Sequence, residues 1–64
     1  MSKATSITMT AEQTAQYDMG GEAARQLMER LRIEASKVAR TAGATHVEIY
    51  TADGITADAI DLDA

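Results

Sequence analysis

Four aspartates crowd the C-terminal part of the chain, Asp53, Asp58, Asp61 and Asp63, with Glu48 shortly before them. Carboxylates of this kind hold Ca²⁺ when oxygen donors recur at fixed steps around a glycine and a Glu closes the loop. Here Thr51 and Ile49 stand two and four places before Asp53, and no Glu follows Gly54, so that pattern fails. Free carboxylates can also act as general acids or bases, but this segment reads as a hairpin with no evident pocket. His46 is the only histidine and cysteine is absent, so a zinc site has no donor set. Ser6, Ser36 and several threonines are present without a base and orienter beside them. Gly20-Gly21-Glu22 opens a helix and could at most cradle an anion weakly; a linker is the simpler reading. No catalytic group, cofactor or metal is expected, and the chain is not read as an enzyme.

Charge is unevenly placed along a chain whose formal net charge is -4. The middle is basic, with Arg25, Arg30, Arg32, Lys37 and Arg40 against Glu22, Glu29 and Glu34. From Ala44 onward there are only Glu48, Asp53, Asp58, Asp61 and Asp63, with no Lys or Arg. A basic helix followed by an acidic segment suits docking on a partner's charged surface. One version is a small inhibitor that covers a basic, nucleic-acid-binding groove, with those five carboxylates in place of phosphates.

These residues need elements to position them. Thr5 to Thr10 alternates polar and apolar residues and is rich in β-formers, so it reads as a short strand, within an N-terminal 1–10 that is either strand or disordered arm. Thr10-Ala11-Glu12-Gln13 has the form of a capping box and starts a helix at Ala11. Gly20-Gly21 should break it, giving a short helix at 11–19 and a long one at 22–42. On the long helix Ala24, Leu27, Met28, Leu31, Ala35, Val38, Ala39 and Ala42 form an apolar face, and Gly43 stops it. Ile33 points away from that face, among Gln26, Glu29, Lys37 and Arg40. It is the candidate apolar anchor of a second surface, with Arg30, Lys37 and Arg40 as its rim.

Residues 45–61 read as a β-hairpin turning at Ala52-Asp53-Gly54. A two-residue turn would set Ile49 opposite Asp58 and Val47 opposite Ile60. A three-residue loop sets Ile49 opposite Ala57 and Val47 opposite Ala59, gathering Val47, Ile49, Ile55, Ala57 and Ala59 on one face. The second is preferred, although it places Glu48 opposite Asp58. The expected fold class is α+β: a short N-terminal strand, a short helix, and one long amphipathic helix packed on a C-terminal hairpin, in a single small domain. Residues 6–10 are a candidate third strand, and both hairpin edges are candidates for pairing across a dimer.

A chain of 64 residues with no Phe, no Trp and no Cys has a small core and no crosslink. We therefore expect a second protein chain to complete it, in the first place a homodimer. The function expected is that of a small acidic protein-binding module, a regulatory subunit or inhibitor, in the cytoplasm, since no leader or membrane-spanning run is visible. The strand and two helices over residues 5–42 also resemble the layout of ribbon–helix–helix regulators, whose paired strands enter the DNA major groove. That resemblance implies a DNA-binding regulator or antitoxin reading Ser6, Thr8 and Thr10. None of these is basic, and Lys3 is the only cation nearby, which argues against nucleic acid as the partner.

Overall fold

The computed structural model describes residues 3–63, in the order β1 (Ala4–Thr8), α1 (Ala11–Met19), α2 (Gly21–Ala42), β2 (His46–Tyr50) and β3 (Thr56–Asp61). Residues 1 and 2 of the expected N-terminal arm, and residue 64, lie outside it. The capping box forms as the sequence dictates. Thr10 Oγ1 accepts from the Gln13 N–H at 3.1 Å, and Gln13 Oε1 accepts from the Thr10 N–H at 3.0 Å. Gly20 then separates the helices at φ 71°, ψ -167°, a conformation open in practice only to glycine. At the far end of α2, Gly43 turns left-handed at φ 70°, and the Ala44 N–H reaches back to the Ala39 carbonyl at 2.8 Å. The Lys3 ammonium adds a bond to the free carbonyl of Ala42 at 2.8 Å, where the helix dipole favours a cation.

The three strands form one mixed sheet in the order β1-β2-β3, with β1 parallel and β3 antiparallel to β2. The strand at residues 4–8 is thus an integral edge of the sheet. It occupies one of the two hairpin edges expected to be open, that of β2, so the open edges belong to β1 and β3. Helix α2 lies across β1 and β2, and α1 packs on α2. Buried Thr14 ties α1 to the hairpin, and buried Thr51 braces the hairpin's own turn. Thr14 Oγ1 donates to the Thr10 carbonyl at 2.9 Å and accepts from the Ala52 N–H at 2.8 Å, while Thr51 Oγ1 accepts from the Ile55 N–H at 3.2 Å.

The hairpin register combines the two readings of the sequence. Next to the turn, Tyr50 faces Thr56 and the Thr51 N–H bonds the Ile55 carbonyl at 2.8 Å, as a three-residue loop requires. A bulge then shifts the pairing, so that Ile49 faces Asp58, Val47 faces Ile60 and Glu48 faces Ala59. The expected pairs Ile49–Ala57, Val47–Ala59 and Glu48–Asp58 are therefore overturned. The shift brings Ile60, in place of Ala59, against the core, and fully burying an isoleucine side chain is worth ~1.5–3 kcal/mol. It also puts Asp58 on the helix side, where Arg32 Nε meets Oδ2 at 3.3 Å; an exposed pair of this kind contributes only about 0–1 kcal/mol. Even the partial burial of Ile60 therefore favours the shift more than the ion pair does. Ile55, expected inside, is exposed at the turn.

The core is a thin layer: Leu27, Leu31, Ala35 and Ala39 of α2 meet Val47 and Ile49 of β2, closed by Met9 and Ala44. Val38 and Ala42, expected on the same apolar face, are not part of it, because the buried row steps by four and drifts around the helix, leaving them on its uncovered flank. A protein of this length is stable by roughly 3–10 kcal/mol. Ile49→Ala should cost about 2–5 kcal/mol, a large share of that stability, whereas Ile33→Ala should stay within about 0.5 kcal/mol. Urea titrations followed by circular dichroism check this; equal midpoints for the two variants would refute this assignment of the core.

Candidate functional site

The sheet has two open edges, and they differ in chemistry. Along a strand the N–H and C=O of one residue point to one side, and those of the next to the other. In β3 the Leu62 N–H bonds the Thr45 carbonyl of the neighbouring segment at 2.8 Å, so beyond the bulge the N–H groups of Ala59, Asp61 and Asp63 face outward. Two of these are already taken. Asp58 Oδ1 accepts from the Ala59 N–H at 2.8 Å, and Asp61 Oδ1 accepts from the Asp63 N–H at 2.9 Å. A bulge, inward charge and self-capped N–H groups are devices that keep a second strand away.

The β1 edge has none of these. The Met9 N–H donates to the Tyr50 carbonyl at 2.7 Å, and the Lys3 carbonyl accepts from the N–H groups of Thr45 and His46 at 2.8 and 3.2 Å. The odd residues therefore serve β2, and Ala4, Ser6 and Thr8 turn their N–H and C=O groups outward. The strand Ala-Thr-Ser-Ile-Thr carries no charge, proline or bulge. Its alternate side chains are settled, with Thr5 and Ile7 half-buried toward the helix and Ala4, Ser6 and Thr8 exposed on the other face.

On that outer face Glu48 lies between Ser6 of β1 and Ala59 of β3. The Tyr50 hydroxyl donates to Glu48 Oε2. His46 sits opposite Asp61, with Nε2 and Oδ2 3.6 Å apart, and its Nδ1 is 2.7 Å from Thr45 Oγ1. The five carboxylates singled out from the sequence do not make one row. Glu48 and Asp61 share the outer face, Asp58 lies on the helix side with Arg32, Asp53 is exposed at the hairpin tip, and Asp63 is exposed beyond β3. Among the described residues no three His, Cys, Asp or Glu side chains are grouped as metal ligands would be, and no helix is long and apolar enough to cross a membrane.

Ile33, Lys37 and Arg40 do come together. With Arg32, Ser36 and Ile60 they line a shallow groove of about 330 Å³ between α2 and β3. Arg30 is exposed and does not line it. Reading the helix alone missed Arg32, Ser36 and Ile60, because only the shifted register brings Ile60 beside Ile33. The β1 edge was missed because the strand's partner was not evident; its lack of charge was the one signal that pointed to it. No family model, curated protein or solved structure matches this chain.

The Tyr50–Glu48 contact gives a measurable signature. The hydrogen bond to Glu48, then burial, then repulsion by the Glu48 charge all raise the Tyr50 pKa above its ordinary 10.0. Because the folded value is the higher one, the stabilisation from this contact is complete below pH 10 and is lost as pH rises through the raised value. In a Tyr17→Phe background, ultraviolet titration should place Tyr50 ionisation above that of free tyrosine. Glu48→Ala should bring it down, and an unchanged midpoint would show that the two side chains do not meet in solution.

Proposed function

We propose that this chain is a small acidic protein-binding module, a regulatory subunit or inhibitor, that binds by strand addition at the open edge of β1. Its first occupant is a second copy of itself. The observation that carries this reading is the contrast between the edges: β3 is bulged, acidic and self-capped, whereas β1 is unbulged, uncharged and bare. Main-chain hydrogen bonds give such an edge affinity without any special side chain. The geometry is also self-complementary. An antiparallel pair centred on Ser6 sets Ser6 opposite its symmetry mate and Ala4 opposite Thr8, and these are the residues whose backbone groups point outward. No like charges meet in that pairing. The DNA-binding alternative would use the same β1 pair, but Glu48 and Asp61 lie on the face that carries Ser6 and Thr8, where they would repel phosphates.

Light scattering on a sizing column over a hundredfold dilution tests the reading. The wild-type chain should show twice its 6.8 kDa mass, falling toward the monomer only at high dilution. Ser6→Pro removes one outward N–H and no bond to β2. It should give a monomer with an unchanged circular dichroism spectrum. A wild-type monomer at every concentration would refute self-association, and a Ser6→Pro dimer would place the contact elsewhere.

A further inference from the structure

We propose that the groove between α2 and β3 is a docking site for an acidic segment of another protein, held by an aliphatic side chain between carboxylates. The floor is apolar: Ile33, 61% exposed, lies beside the partly buried Ile60. The walls are cationic, from Arg32, Lys37 and Arg40, and among the described residues no carboxylate lines the groove. Arg32 meets Asp58 on its β3 side. Lys37 and Arg40 have no ion-pair partner among the described residues, although the chain as a whole is acidic. Unpaired cations around an exposed isoleucine, on a molecule of net charge -4, complement a ligand that brings both carboxylates and an aliphatic group.

Charge complementarity selects the occupant. A nucleic acid would supply anions but nothing for Ile33 and Ile60, and its extended phosphate backbone would meet the repulsion of the acidic sheet and tail. An apolar peptide would leave Lys37 and Arg40 unsatisfied. A second copy of this chain offers Ile55, exposed between Asp53 and Asp58 at its hairpin tip, but Asp58 is held by its own Arg32 and Ala59 N–H, so only one free carboxylate flanks that side chain. An acidic segment with a Leu, Ile or Val at its centre satisfies both parts of the groove. The site is separate from the β1 edge, since β1 and β3 are the two outer strands of the sheet.

The test is selection from a displayed library of random twelve-residue peptides on immobilised wild-type protein, with winning peptides re-measured by fluorescence anisotropy. The inference expects a class of peptides with acidic residues flanking an aliphatic one. Their affinity should fall at least tenfold for Lys37→Glu and for Ile33→Ser, both exposed positions, with folding checked by circular dichroism. It should also weaken with added salt, and it should be unchanged for Ser6→Pro. Selection of no acidic class, or of acidic peptides indifferent to Lys37→Glu and Ile33→Ser, would overturn the proposal. Peptides lost only with Ser6→Pro would support strand addition at β1 and still refute the groove. Binding of a labelled DNA duplex that Lys37→Glu abolishes would reassign the groove to nucleic acid.

Discussion

One contact layer carries the fold: the row Leu27, Leu31, Ala35 and Ala39 of α2 seated on Val47 and Ile49 of β2. A single helix is about 10 Å wide, and three strands span about the same distance between the outer two. The helix lies across β1 and β2 and leaves β3 at its flank. Half of its buried row is alanine, so helix and sheet approach closely while little area is buried per residue. The remaining features follow from this. On one side α1 folds back and Met9 closes the layer. On the other, β3 must bulge to bring Ile60 inward, and a groove is left where the helix surface falls away.

The bulge has a second consequence. By rotating Asp58 to the helix side, it exchanges a repulsive pairing with Glu48 for a contact with Arg32, and it brings Asp58 Oδ1 onto the Ala59 N–H at the open edge. One carboxylate thereby anchors a guanidinium and closes a backbone donor. Asp61 closes the Asp63 donor in the same way while standing opposite His46 on the outer face. The acidic composition of the hairpin is thus partly structural. These charges guard an edge. Among the five carboxylates of the hairpin and its tail, only Asp53 and Asp63 are both exposed and without a contact through their carboxylates among the described residues.

Local signals in the sequence were reliable where the chain answers to its neighbours in sequence. The capping box at Thr10, the break at Gly20 and the stop at Gly43 depend on residues within a turn, and α1 and α2 begin and end close to where those residues place them. The α+β class and the hairpin followed from periodicity. What periodicity could not supply was any property set across the sheet. The parallel pairing of β1 with β2 spans the whole α1–α2 crossover, and nothing in Ala4–Thr8 names its neighbour. The register failed for a related reason. Both candidate turns explained part of the pattern, and a bulge satisfies each in its own half, near Thr51 and near Val47. The helical wheel found Ile33, Lys37 and Arg40 as one surface, but Ile60 joins them only once the bulge has turned it.

Opposite edges with opposite chemistry also separate two kinds of contact. A strand added at β1 would extend the sheet and leave α2 and β3 untouched. In a β1-paired dimer the two β3 strands would stand at the ends of a six-stranded sheet, on the order of 24 Å apart at ~4.8 Å per strand. The two cationic grooves would then open at those ends. Such spacing sets what simultaneous binding demands: a partner with two acidic segments joined by enough chain to cross that distance would gain effective concentration from the second contact, and one with a shorter connection would not. The twist of the sheet, about 20–25° per strand, would turn the grooves relative to one another, so a flexible partner would fit the pair more readily than a rigid helix laid across both.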